Sequence, residues 1–418
     1  MHAEILSIGD EITSGQLLDT NSQWLSLRLE ELGIRVLYHT TVGDELDPLA
    51  AVFRQAIERS DVVISTGGLG PTADDLTRPA LAKATGRALV LDEEALRAIR
   101  ELFARRRREM PKQNESQAMF PDGAAMIRNP NGTAPGIDLE VQRPGREPCR
   151  VIVLPGVPAE MREMWHDSVG ARLRQLGAGN TIIRHKRINC FGAGESQVEA
   201  MLPDLIRRGR TPRVGITASQ TTIILRITAE GPTDEFCRAA MAPTEAIIRE
   251  CLGNLVFGED DDQLQDAVVR LLRSRRQTLS VVEWGTRGLV TEWLDQAAGA
   301  EECFAGGLVV SSPAVPRAVL GVEPAAPAAA ADEQRRAVRA MAERCRERFG
   351  TDWALAVGRF AEPTPTDASP GEAWLALAAA DTLVDRSASL GLHPATLRIY
   401  AAKQALNFVR LALVEQSG

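Results

Sequence analysis

Short apolar runs alternate with segments whose apolar residues recur every third or fourth position. Ile5-Leu6-Ser7-Ile8 reads as a buried strand. Over 21–32 the residues Trp24, Leu25, Leu27, Leu29 and Leu32 keep helical spacing, and Val36-Leu37-Tyr38 reads as a second strand. A helix over 49–59, the strand Asp61-Val62-Val63-Ile64-Ser65, a glycine-rich turn and a helix opening near Asp74 follow. Val151-Ile152-Val153-Leu154, ending at Pro155-Gly156, reads as a late strand. Alternating strands and helices predict an α/β domain over residues 1–170 with a parallel, helix-covered sheet.

From 181 to 258 the order changes to strand 181–189, helix 194–207, strands 213–216 and 221–229, and helix 232–252, a small α+β module. The acidic run Glu259-Asp260-Asp261-Asp262 is expected to open a helix through Arg273, where carboxylates suit the positive end of the helix dipole. That run marks the boundary of a third, α/β domain over 259–418. It has strands at 279–282, 307–310 and 353–357, helices at 287–297 and 334–348, strand periodicity over Trp374–Ala378, and an amphipathic helix over 394–414. No internal repeat is visible.

The chain's 418 residues exceed one ordinary domain of about 150. Its 44% hydrophobic and 25% charged residues exclude disorder throughout. With 48 Lys and Arg against 56 Asp and Glu the formal charge is −8, which argues against chain-wide attraction to nucleic acid or anionic membrane. No apolar run approaches the ~20 residues needed to span a bilayer, and the N-terminus lacks a secretory pattern. The scattered cysteines form no CxxC pair, which fits a reducing compartment and buried or inert thiols. A cytoplasmic protein is expected. Arg105-Arg106-Arg107-Arg108 reads as a solvated basic helix face.

Candidate chemistry gathers where strands end. Ser65-Thr66-Gly67-Gly68-Leu69-Gly70-Pro71-Thr72 leads to Asp74-Asp75-Leu76-Thr77-Arg78. Glycines there let the chain turn tightly and bring N–H groups to an anion, as a phosphate requires. The two acids either cap the next helix or hold a divalent cation against phosphate oxygens. Gly9-Asp10-Glu11 follows the first strand and Asp44 follows the second. In an open sheet these loops face one crevice beyond the strands' carboxyl ends. Asn129, Gly132 and Thr133 in the stretch 129–136, and Pro155-Gly156, are turn residues that also suit contact with a ligand.

Taken together, Gly9-Asp10-Glu11, Thr66 to Thr72 with Asp74-Asp75-Leu76-Thr77, Asn129 to Gly136 and Leu154 to Pro158 resemble the competence/damage-inducible CinA family. The resemblance extends over essentially the whole chain. It implies a molybdopterin-binding-like first domain, a middle module of KH-like topology and a C-terminal domain of the nicotinamide mononucleotide deamidase type. It further implies metal-dependent ADP-ribose pyrophosphatase activity in the first domain, with essential aspartates at the positions of Asp44 and Asp75.

The resemblance breaks at the C-terminal site. Where deamidases of this type carry Ala-Glu-Ser-Cys-Thr-Gly-Gly, with Ser as nucleophile, this chain reads Val282-Glu283-Trp284-Gly285-Thr286-Arg287-Gly288. Pro316 stands where a lysine is expected. Arg359 and Phe360, in the altered stretch Val357 to Pro363, are expected to fill space otherwise kept for a nucleotide. A structural or dimerisation role is expected for this domain. Gly192-Ala193-Gly194 has the wrong spacing for the GxxG clamp of KH modules, so nucleic acid is not an expected partner.

The resulting expectation is hydrolysis of a nucleoside diphosphate compound by the first domain. Asp75 and Asp44 are its catalytic residues, and Asp75, Asp44 and Asp10 hold a divalent cation of the magnesium or cobalt type. The backbone amides of Gly67, Gly68 and Gly70 bind the diphosphate. The alternative is a crevice that binds a nucleotide or pterin without turnover. The expected partner is a nucleotide-type small molecule, with no membrane. Apolar faces on the alanine-rich C-terminal helices point to a homodimer.

Overall fold

The computed structural model describes residues 1–178, 181–326, 329–360, 372–390 and 393–416. It divides into two compact units, Met1–Arg184 with Ala229–Ala240, and His185–Thr228 with Met241–Gly418.

In the first unit β1 (His2–Ile8), the single turn α1 (Asp10–Thr13), α2 (Thr20–Glu31), β2 (Arg35–Val42), α3 (Leu46–Arg59), β3 (Val62–Thr66) and α4 (Thr77–Thr85) alternate. Then come β4 (Leu89–Leu91), α5 (Glu93–Arg105), β5 (Met119–Pro121), β6 (Ala125–Ile127), β7 (Gly136–Arg143), β8 (Arg146–Leu154), α6 (Pro158–Met164) and α7 (Gly170–Gln175). The sheet order is β2-β1-β3-β8-β7-β6. The first four strands are parallel, but β7 and β6 are antiparallel, so the sheet is mixed rather than parallel throughout. The cause is local, because the two-residue link Pro144-Gly145 between β7 and β8 can join only antiparallel neighbours.

Strands covered on both faces read as continuous apolar runs. Ala3, Ile5, Val62, Ile64, Ile152 and Leu154 meet α2, α6 and α7. Leu6, Ile8, Val63, Val151 and Val153 meet α3, α4 and α5 on the other side. The helix expected near Asp74 opens only at Thr77. Its N-cap is Leu76, so neither Asp74 nor Asp75 caps it.

Next along the chain are β9 (Ile182–Cys190), α8 (Glu195–Met201), β10 (Arg213–Ser219), β11 (Thr222–Gly231), α9 (Asp234–Leu252) and β12 (Val256–Glu259), with sheet order β10-β11-β9-β12. Helix α8 stops six residues short of the expected Arg207 (207 − 201), because Pro203 disfavours helical backbone at Leu202. The acidic run does not open a helix: Glu259 ends β12 and Asp260-Asp261 form a turn. Its carboxylates pair with Lys186, Arg187, Arg249 and Arg270, while α10 (Leu264–Arg275) is capped reciprocally by Gln263 and Asp266.

The C-terminal part continues with β13 (Leu279–Glu283), α11 (Leu289–Gln296), β14 (Phe304–Val309), α12 (Ala314–Leu320), α13 (Ala331–Phe349), β15 (Trp353–Val357), β16 (Glu372–Ala378), β17 (Leu383–Ser389) and α14 (Pro394–Glu415). The sheet order is β14-β13-β15-β16-β17, parallel through β15 and antiparallel beyond it.

Helix α14 is not the one-sided amphipathic helix expected. Leu397, Ala401, Ala402, Ala405, Leu406, Val409 and Leu413 are buried, and so are Lys403, Asn407 and Arg410. Lys403 Nζ donates to Gln220 O and Thr222 Oγ1 at 2.7 Å each, and Arg410 donates to Asn407, Val256 and Asn254. Its apolar residues therefore pack inside their own unit.

No helix among the described residues is long and apolar enough to cross a membrane. All the cysteines are free thiols. Burial pushes Cys149 and Cys190 up to about 12, too high for ready thiolate chemistry.

Candidate functional site

The carboxyl ends of β1, β2, β3 and β8 open onto a crevice of about 610 Å³, the position at which open α/β sheets collect ligands. Gly9, Glu11, Asp44, Thr66, Gly67, Gly68, Gly70, Asp75, Thr133, Pro155 and Gly156 line it. Asp10, Thr72, Asn129 and Gly132 do not line it; Asp10, Thr72 and Asn129 bond to the lining residues Asp44, Asp75 and Glu160, and Gly132 bonds to Asn129. A hollow of about 740 Å³ beside Glu259–Asp262 has walls of charges already paired, Arg249 with Glu259 and Arg270 with Asp262.

Gly9 N donates to Val42 O at 3.1 Å, tying the end of β1 to the end of β2. Beyond it Asp10 N donates to Asp44 Oδ2 at 3.0 Å and Asp44 N to Asp10 Oδ1 at 3.1 Å. The Glu11 carboxylate folds back over Gly9, where a Cβ would collide with it. Burial holds the Asp44 carboxyl above the usual carboxylate range. The Asp10 amide opposes that rise, and the charges of Asp10, Glu11 and Asp74 add to it.

The glycine-rich loop differs from expectation in which amides are free. Gly67 N donates to Leu154 O at 3.1 Å, continuing the β3–β8 pairing, and a Cβ at Gly67 would strike Ile8 O. Gly70 N donates to Asp75 Oδ1 at 2.7 Å. Of the three predicted amides only Gly68 N lacks an acceptor among the described residues; Leu69 N, not predicted, lacks one too. Asp75 Oδ2 also accepts from Thr72 N at 2.9 Å and Thr72 Oγ1 at 2.5 Å. Asp75 thus shapes its own loop, and Gly70 is glycine because a Cβ would meet that carboxylate. Thr66 Oγ1 donates to Pro155 O at 3.0 Å, and Gly156 approaches Gly67 closely, so the loops after β3 and β8 form one wall.

Asn129 staples the opposite loop. Its Nδ2 donates to Ala134 O and Glu160 Oε2, and its Oδ1 accepts from Gly132 N at 2.8 Å. The arginine run is exposed to solvent as expected, although α5 ends at Arg105, and Arg105 and Arg106 also donate to Pro130 O and Asn131 O of this loop.

The sequence places Asp19-Thr20-Asn21 in the cluster after the first strand without giving them a role. Asn21 Nδ2 donates to Thr66 Oγ1 and Gly156 O at 3.1 and 2.8 Å, while its Oδ1 is buried without a partner. Burial works against the Asp19 charge, yet hydrogen bonds from Ser22 and Ser7 hold it below the usual range while it caps α2. The signal for both was an Asp-Thr-Asn start to the first helix after a strand. Leu17, Leu18 and Val157 form an exposed apolar rim, with Leu18 81% exposed. Their signal is visible only once the loops converge.

Among the described residues no three His, Cys, Asp or Glu side chains converge as a preformed metal cage. The donor chemistry nonetheless fits a hard divalent cation, because Asp10 and Asp44 are carboxylates crowded by further acids. Such ions are commonly held by one or two carboxylates together with substrate phosphates.

In the C-terminal part, Trp284 occupies the expected nucleophile position and is 9% exposed, with the Arg359 guanidinium 5.1 Å from its ring centre. A Cβ at Gly285 would collide with the Phe360 ring. The space left between Trp284, Arg359, Met341 and Trp374 is about 10 Å³. Ser280 is buried and bonded to Thr351 and Cys345, whereas Ser311 is exposed. Glu283 accepts from Thr286 Oγ1, Val290 N, and both Thr291 N and Oγ1, so it satisfies N–H groups in the first turn of α11. Residues 361–363 of the altered stretch lie outside the described residues.

Family models match along the chain: "Probable molybdopterin binding domain" over 4–175, the damage-inducible protein CinA KH domain over 185–258 and the CinA C-terminal domain over 261–413. A CinA-like protein of Thermomicrobium roseum is 36% identical over 419 residues, covering 100% of this chain and 98% of its own. One of Frankia casuarinae is 36% identical over 426 residues, covering 99% and 96%. The crystal structure of the protein CinA from Thermoplasma acidophilum is 35% identical, covers 41% of this chain and 98% of its own, and superimposes with a TM-score of 0.37. With relatives of this identity aligned over nearly their whole length, the chain belongs to the CinA family, whose members are named as competence-damage inducible or CinA-like proteins.

Proposed function

We propose that the first unit binds a nucleoside diphosphate compound of the ADP-ribose type and, with a divalent cation, hydrolyses it to two monophosphates. The observation that supports this is one crevice lined by Gly68 and Leu69, whose amides are unengaged among the described residues, and by Asp44, which exchanges backbone hydrogen bonds with Asp10 beside it. The diphosphate accepts from the two amides. Asp10, Asp44 and Asp75 are the carboxylates that would hold the cation, with the substrate completing the site because they form no cage by themselves among the described residues. When bound, a divalent cation would supply charge neutralisation at the phosphates and a more acidic water. Asp75 keeps the loop closed around the phosphates, and Leu17, Leu18 and Val157 offer apolar surface to the base. Water oxygen bonds to one phosphorus as the bridging oxygen leaves, so ADP-ribose gives AMP and ribose phosphate.

The same reading takes the C-terminal domain as devoid of deamidase chemistry, because indole at position 284 is no nucleophile and the space beside it is filled. A structural or dimer-forming role for that domain and a cytoplasmic location accompany this reading; sedimentation reads the assembly. A second reading, a nucleotide or pterin binder without turnover, is favoured by the engagement of Asp10, Asp44 and Asp75 in hydrogen bonds within and between their own loops.

Incubation with ADP-ribose and magnesium or cobalt tests the choice. AMP release by the wild type, lost in Asp75→Ala, is expected. Saturable binding without AMP under any metal leaves the second reading. Ammonia release from nicotinamide mononucleotide that disappears in Ser311→Ala overturns the silent C-terminal domain.

A further inference from the structure

Arg78 lies in the first turn of α4, beneath the glycine-rich loop, and is 4% exposed. Its guanidinium bridges two loops: one terminal nitrogen donates to Leu69 O at 2.9 Å and the other to Pro135 O at 3.1 Å. Nε has no partner. No carboxylate pairs with it among the described residues; Asp75 acts on it only through its charge, and burial lowers the guanidinium to about 10. Gln117 Nε2, also buried, donates to the same Leu69 O at 3.1 Å.

A buried cation without a bonded counter-charge costs several kcal/mol, and apolar side chains of similar size fill such places more cheaply. Hydrogen bonds to two loops account for a donor at this position. They do not account for a full positive charge, since Gln117 reaches the same carbonyl without one. The gripped loops are the two whose Leu69, Gly70, Thr133 and Ala134 line the crevice. Asp75 supplies part of the counter-charge without bonding to the guanidinium, and an anion held in the crevice would add to it through the loop.

We propose that Arg78 is a positioning residue for a diphosphate: its fork sets the spacing of the two loops, and its charge makes the crevice prefer a multiply charged anion. The ligand class rests on the reading above, but the charge preference is separable from hydrolysis.

Calorimetric titration with inorganic pyrophosphate and with orthophosphate tests this on the full chain and on Arg78→Lys, Arg78→Gln and Gln117→Leu. Arg78→Gln is expected to lose about tenfold in pyrophosphate affinity and less for orthophosphate. Arg78→Lys, which keeps the charge, and Gln117→Leu, which removes only a neutral hydrogen bond, are expected to lose about threefold for both anions. Equal losses for both anions in Arg78→Gln indicate a merely structural role and overturn the proposal, as does wild type that binds no pyrophosphate. Should Arg78→Gln not fold, Arg78→Lys must retain the preference for pyrophosphate, and its loss overturns the proposal. Pyrophosphate binding without AMP release from ADP-ribose defeats the hydrolytic reading alone.

Discussion

Asp10 and Asp44 each donate a backbone N–H to the other's carboxylate, at 3.0 and 3.1 Å, so two like charges are locked side by side by neutral amides. The exchange fixes the loop after β1 against the loop after β2. It leaves Asp44 with a raised pKa, caused first by burial and then by the surrounding acids.

A raised carboxylate favours the fold while protonated, and that contribution is lost as pH rises through the shifted value. At neutral pH the ionised Asp44 therefore costs stability. Asp44→Asn keeps an acceptor for the Asp10 amide and removes the charge. In chelator at pH 7.5 it is expected to raise the melting temperature by about 1–3 °C. The advantage is expected to vanish near pH 3, below the ordinary carboxylate range. Scanning calorimetry at the two pH values checks this; an unchanged or lowered melting temperature at pH 7.5 counts against it.

Gly70 and Asp75 are matched, since any Cβ at position 70 would occupy the space of the carboxylate that accepts from Gly70 N. Gly70→Ala is expected to cost about 1–3 kcal/mol in urea unfolding, as overpacking does. It is also expected to weaken ADP-ribose binding through the displaced Gly68–Leu69 amides. Intact affinity in a destabilised variant would separate the loop from ligand binding.

Gly285 and Phe360 are coupled in the same way within the C-terminal part. Gly285→Ala alone is expected to cost about 1–3 kcal/mol, and Phe360→Ala about 3 kcal/mol or more. Together they should cost less than the sum, with a coupling of at least about 0.5 kcal/mol. Additivity in a double-mutant cycle would mean that the ring does not determine the glycine.

Lys403, 6% exposed and without a carboxylate partner among the described residues, is lowered by burial to about 8 from an ordinary 10.5. Between those values the unfolded chain binds the extra proton, so this group makes the fold more stable as pH rises. The gain from pH 7.5 to 10 is expected to be on the order of 1–3 kcal/mol. Comparison with Lys403→Met by chemical unfolding isolates it. Parallel pH profiles for the two proteins would show that the lysine contributes nothing to the slope.

Much of the fold was legible because strands buried on both faces leave unbroken apolar runs. Val62 to Ile64 and Val151 to Leu154 could be read directly, and the glycine loop followed from its place after a strand. β7 was missed because Gly136–Arg143 alternates buried and exposed residues only in part and lies on the antiparallel side of the sheet. The last helix was misjudged because Lys403, Asn407 and Arg410 look like a solvent face; each is buried by hydrogen bonds to residues at least 150 positions away or, for Asn407, to Arg410.

The sequence by itself determined the α/β alternation, the family, and the loops that meet at the carboxyl ends of the strands, because apolar periodicity and turn residues act over a few positions. It also determined that no nucleophile stands at position 284. Only the tertiary structure decided which polar groups face a ligand. Gly67 N and Gly70 N are taken by Leu154 and Asp75, Asn129 is turned into its own loop, and Arg78 is buried under the glycines. Whether a donor is free depends on what packs against it, and those partners come from segments that local sequence does not bring together.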